Sequence, residues 1–144
     1  MARIVHLGKE DMAISVTVVR DQAPESLALD AGTTGLDVFG KNTAIVAMRV
    51  NGATLDLAHP LADGDEVEPV LIDSSEGLAI IRHSCAHLTA QAVQLLFADT
   101  KLGIGPPITD GFYYDFQVAT PFTPEDLKAI EKKAQQLIAQ RQTF

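Results

Sequence analysis

The sequence predicts an α+β chain. Three observations carry this reading. Alternating, β-branched segments separated by turn residues fill the stretch before residue 72. Residues 78–97 contain neither glycine nor proline and repeat apolar side chains at three- and four-residue steps, which predicts a long helix. Thr123-Pro124-Glu125-Asp126 opens a second helix: Thr123 caps, Pro124 takes the first helical position and Asp126 supplies the capping-box acid.

In chain order, residues 14–19 alternate and read as a strand, residues 21–24 as a turn and residues 25–29 as a second strand. Thr33 or Thr34 caps a short helix that Gly40 ends. A strand over 43–50 runs into Asn51-Gly52, the preferred two-residue hairpin turn, and residues 53–57 return antiparallel. Asp63-Gly64-Asp65 turns into a last strand, 66–71. Strands, one short helix and a returning hairpin fit a ubiquitin-like β-grasp over residues 1–72. Residues 73–77 are polar, break both periodicities and read as a linker, with Ser74 or Ser75 as the cap of the next helix. Residues 78–144 then give helix, strand 101–104, a Gly105-Pro106-Pro107 turn, an aromatic strand 112–116 and the last helix. In that helix Leu127, Ile130, Ala134, Leu137 and Ile138 form the apolar face.

Chemistry concentrates in Arg82-His83-Ser84-Cys85-Ala86-His87. His83 and His87 are four residues apart on a helix and project from one face. The apolar stripe, Leu78, Ile81, Cys85, Leu88, Ala92, Leu95 and Leu96, centres nearly opposite them. Their neighbours Ala79, Ala86 and Ala90 are small, which leaves room for a ligand or for another backbone. A pair of solvated surface histidines is the plain alternative. Cys85 lies on the apolar stripe, so it reads as a buried, inert thiol. His6 and His59 are isolated.

Composition removes several function classes. No window reaches the roughly 18 apolar residues that span a bilayer. A single cysteine forbids an internal disulfide and suits a reducing compartment. The net charge of −8 sits wholly in residues 1–77, with five basic against thirteen acidic residues. That is the reverse of a self-sufficient nucleic-acid binder. Lys128, Lys132, Lys133 and Arg141 form the one candidate basic cluster, and an ordinary solvated helix face is the plainer explanation of it.

The run from Leu78 to Leu88, followed by Ile104-Gly105-Pro106-Pro107-Ile108-Thr109-Asp110-Gly111-Phe112-Tyr113-Tyr114-Asp115-Phe116, resembles the start of the threonyl-tRNA synthetase editing domain. Alanyl-tRNA synthetases and their free-standing editing relatives share the His-x-x-x-His helix; the second string looks specifically threonyl. Residues 1–72 resemble the TGS domain of the same family. The resemblance implies that the chain is the N-terminal region of a longer threonine–tRNA ligase, with 78–144 the first part of its editing domain. It implies that His83 and His87 position polar groups or transfer protons in an editing pocket, and that Tyr114 is a wall of that pocket with a hydroxyl contact. The implied reaction is hydrolysis of mischarged seryl-tRNA(Thr). A site that selects threonine over serine by one methyl gains only about 10–200-fold, so a second, hydrolytic sieve is needed. The resemblance further implies ATP, Mg and Zn for the full-length parent and no cofactor or metal in this part. It also implies the 3′ end of tRNA(Thr) as partner, a homodimeric parent and a cytoplasmic location. Two other readings stand beside it: a non-catalytic tRNA- or protein-binding module, and a small metal-dependent aminoacyl-tRNA hydrolase of the alanyl editing type.

Overall fold

Ile14, Val16 and Val18 alternate with partly or fully exposed neighbours, and the two-residue period turns all three to one face of β1 (Ala13–Arg20). In the computed structural model, which describes residues 13–21 and 23–140, β1 pairs antiparallel along its whole length with β2 (Ala23–Asp30). Thr34 then caps α1 (Gly35–Phe39) through a box with Asp37, and Gly40 ends it at φ 66°. Between β3 (Ile45–Val50) and β4 (Ala53–Leu55), Asn51 and Gly52 both take positive φ, 50° and 85°, as a tight hairpin turn requires. β5 (Glu66–Leu71) runs parallel to β1 and antiparallel to β3. The five strands lie in the order β2-β1-β5-β3-β4. Phe39 of α1, Leu61, Met48, Val50 and Val67 close over the β1 triad as the core of this part.

The chain divides into two units, Met1–Gly77 and Leu78–Phe144. The segment expected to be a linker is partly helical, because α2 (Ser75–Leu96) begins three residues earlier than the apolar periodicity suggests. Ser74 is the cap: its hydroxyl accepts from the Gly77 amide at 3.0 Å and donates to the Leu71 carbonyl at 2.6 Å. Glu76, in that first turn, accepts from the Thr54 hydroxyl and from the Arg49 guanidinium, which also donates to Glu68 at 3.0 Å.

These bonds hold the Glu76 carboxyl below its ordinary range, the Thr54 hydroxyl contributing most and Arg49 next. A depressed carboxyl stabilises the fold fully above its unfolded value, near 4.3, and loses that contribution as the pH falls through the lower folded value. The advantage of the natural chain over Glu76→Gln is therefore constant above about pH 5 and shrinks in acid. The Arg49, Glu68 and Glu76 side chains are 31–40% exposed, so solvent screening keeps the gap small. Urea midpoints of both proteins from pH 3 to 7 check this; parallel curves over the whole range would refute it.

In the second unit, Leu88, Ala92 and Val93 of α2 pack with Ile130 and Leu137 of α3 (Pro124–Ala139), and Phe97, Phe116 and Phe122 pack against them. The buried arc of α2 also takes in Ala86 and Ala90, while Leu78, Leu95 and Leu96 of the expected stripe are exposed. On α3 the expected face is likewise divided: Ile130 and Leu137 are buried, Leu127 and Ile138 exposed. Between the helices, β6 (Lys101–Leu102) pairs with β9 (Phe116–Gln117), and β7 (Pro107–Ile108) with β8 (Gly111–Phe112). The single aromatic strand expected over 112–116 is thus interrupted at 113–115. Its partner segment explains why. Asp115 still exchanges backbone bonds with Gly103 and Ile104, at 2.8 and 3.0 Å, but Pro106 has no N–H to continue the ladder.

Candidate functional site

Helical spacing stacks His83 and His87 one turn apart, and both rings are solvent-exposed. Their Nε2 atoms are 3.0 Å apart, and the rings meet edge to face, 84° between planes with centroids 4.4 Å apart. An Nε2–Nε2 hydrogen bond needs one nitrogen to donate and the other to accept. In this geometry the pair therefore holds one shared proton along its axis, with opposite tautomers when both rings are neutral. Two imidazoles joined in this way can accept a proton at one ring and release one at the other.

Facing them is the hairpin. His83, His87, Ile104, Gly105, Pro106 and Tyr114 line an open hollow of about 430 Å³. The Tyr114 ring is half-buried and stacks on Phe116, 5.0 Å between centroids and 20° between planes. Phe116 meets Phe122 at 6.0 Å, and Phe122 meets Phe97 at 5.2 Å. A chain of four aromatic rings thus runs from the hollow into the core. Of the two uses open to the small residues beside the histidines, Ala86 and Ala90 serve close packing, since both are buried. Along the other flank, Ser84 and Gln91 join His83 and His87 around a second hollow of about 470 Å³. A third, of about 450 Å³, lies between the end of α2 and the start of α3 and includes no imidazole.

The structure therefore brings His83, His87 and Tyr114 to one hollow. It adds Ile104, Gly105 and Pro106, to which the sequence reading gave no role. A glycine–proline turn directly after a strand was the available signal, because such a turn folds backbone close to its surroundings. Cys85 is half-buried and stands on another face of α2. The Asp115 side chain is exposed, as are Lys128, Lys132 and His59, with Lys133 half-buried; His6 and Arg141 lie outside the described residues. Among the described residues no three of His, Cys, Asp or Glu converge, so a four-ligand zinc centre finds only two donors at the pair. No described helix is long and apolar enough to cross a membrane.

An imidazole pair set against a glycine- and proline-lined hollow is an arrangement able to accept and release protons beside a largely apolar wall. No protein-family model matches the chain. Individual proteins do match. Over 131 residues, 91% of this chain, it is 56% identical to the threonine–tRNA ligase of Parafrankia sp. (strain EAN1pec). It is 61% identical over 115 residues, 79% of the chain, to the threonine–tRNA ligase of Thermobifida fusca (strain YX). With the threonine–tRNA ligase of Bifidobacterium longum (strain DJO10A) it shares 51% over 131 residues, again 91% of the chain. The chain is thus homologous to a segment of threonine–tRNA ligase. It spans about a fifth of the length of these curated relatives.

Proposed function

We propose that this chain works as a segment of a threonine–tRNA ligase, and that its second unit contributes to hydrolytic editing of seryl-tRNA(Thr). The observation that carries this is the hydrogen-bonded His83–His87 pair facing the hollow walled by Gly105, Pro106 and Tyr114. Hydrolysis of the aminoacyl ester needs a positioned water, a route for its proton and a hold on the ribose and the amino acid. The imidazole pair is the proton route and orients the water or the neighbouring ribose hydroxyl. Tyr114 supplies a wall and a hydroxyl donor. In this reading the hollow receives the serine ester, and its walls select against the extra methyl of threonine.

The first unit is read as a TGS-type β-grasp over residues 1–72, joined through 73–77 to a partial editing domain, 78–144. Strand order β2-β1-β5-β3-β4 with a parallel β1–β5 centre supports that reading. Aminoacylation with ATP and Mg, an amino-acid-binding zinc, homodimerisation and a cytoplasmic setting belong, in this reading, to the complete ligase. The described residues offer no cluster for those metals. The test is hydrolysis of seryl-tRNA(Thr), with threonyl-tRNA(Thr) as control, by the chain and by the complete ligase. Serine-selective release of amino acid supports the reading; equal rates on both substrates in the complete ligase overturn it.

A further inference from the structure

We infer that Gly105 is a specificity-determining position, acting through the Tyr114 ring rather than through its own backbone. The inference rests on the editing reading of this hollow. A Cβ built on Gly105 would fall inside contact distance of Cδ2 and Cε2 of Tyr114, with Cγ at 2.8 Å; all three nearest atoms belong to that ring. Gly105 is not among the residues with positive φ, so its backbone accepts alanine and the ring is what excludes a side chain. The ring also stacks on Phe116, which meets Phe122, and Phe116 and Phe122 both pack against the α2–α3 core. Tyr114 is thus seated between an empty Cβ position and an anchored aromatic partner. Both Gly105 and Tyr114 line the hollow beside the imidazoles. A methyl group at residue 105 drives the ring from its seat and reshapes a wall of the hollow that, in the editing reading, sorts serine from threonine by size.

The experiment is a double-mutant cycle in the complete ligase: natural protein, Gly105→Ala, Tyr114→Ala and the double variant, with His83→Ala run alongside. Seryl-tRNA(Thr) and threonyl-tRNA(Thr) hydrolysis are read as separate kcat and KM values, and thermal unfolding of each protein is recorded. Gly105→Ala is expected to lower the serine-over-threonine ratio of kcat/KM at least tenfold with Tyr114 present. In the Tyr114→Ala background the same change leaves the ratio within about twofold. A purely structural role moves the unfolding midpoint and both substrates together, and leaves the ratio unchanged. That outcome overturns the inference, as does an equal loss of selectivity in both backgrounds, which would mean that the Gly105 backbone itself touches substrate. If His83→Ala retains full seryl hydrolysis, the editing reading fails first, whatever the cycle shows.

Discussion

Replacing both His83 and His87 by alanine is expected to lower seryl-tRNA(Thr) hydrolysis by the complete ligase at least a hundredfold. Positioned acid–base groups contribute about 10²–10⁴ in rate, and the pair supplies both imidazoles that line the hollow among the described residues. The fold should not suffer. Both rings are exposed, and exposed substitutions away from special features change stability by about 0.5 kcal/mol or less. Their hydrogen bond adds a sharper expectation. Groups that act as a unit are strongly non-additive, so His83→Ala alone and His87→Ala alone should each cost nearly as much as the double change. Single-turnover hydrolysis of the four proteins decides it. Two single losses that multiply to give the double loss would mean that each ring has its own task, such as one holding ribose and the other water. A double variant that still hydrolyses seryl-tRNA at the natural rate would remove the pair from the mechanism.

The imidazole pair was legible in the sequence because helical spacing alone places i and i+4 side chains together, and nothing tertiary can undo that on an unbroken helix. The same holds for the Thr123 cap and the Asn51-Gly52 hairpin, where local backbone chemistry decides the outcome. Position in space is a different matter. Pairing Tyr114 with Gly105 depends on how the 101–117 hairpin folds back, and the missing N–H of Pro106 interrupts the ladder that simple alternation expects. Helix faces divided in a comparable way. Spacing put Leu95, Leu96, Leu127 and Ile138 on apolar stripes, yet they are exposed, while Ala86 and Ala90 are covered. Hydrophobic periodicity gives the period of an element, but which part of a wide stripe is covered depends on what packs there.

Gly77 shows the same boundary between local and tertiary information, and it carries the second large effect. From sequence it belongs to a polar break that reads as a linker. In the structure it lies in the first turn of α2, over the end of β5. A Cβ there would stand 2.8 Å from the Leu71 carbonyl carbon, 3.1 Å from Ile72 Cα and closer still to the Leu71 carbonyl oxygen. Two effects oppose one another in Gly77→Ala. Alanine is favoured over glycine within a helix by about 0.8–1.0 kcal/mol. Against this, forcing atoms into a closely packed site costs about 1–3 kcal/mol, and more where the neighbour cannot yield. Here the neighbour is backbone, and that same Leu71 carbonyl accepts the Ser74 hydroxyl at 2.6 Å, so moving it disturbs the helix cap as well. Repulsion should therefore win, with a net loss of about 2 kcal/mol. For a unit of this size that corresponds to a fall of roughly 8–16 °C in its unfolding midpoint. Amide exchange on β5 and β1 should quicken, while α3 stays protected. A midpoint that holds or rises in Gly77→Ala would show that helix propensity outweighs the contact, and that the chain can draw the first turn of α2 away from β5 at little cost.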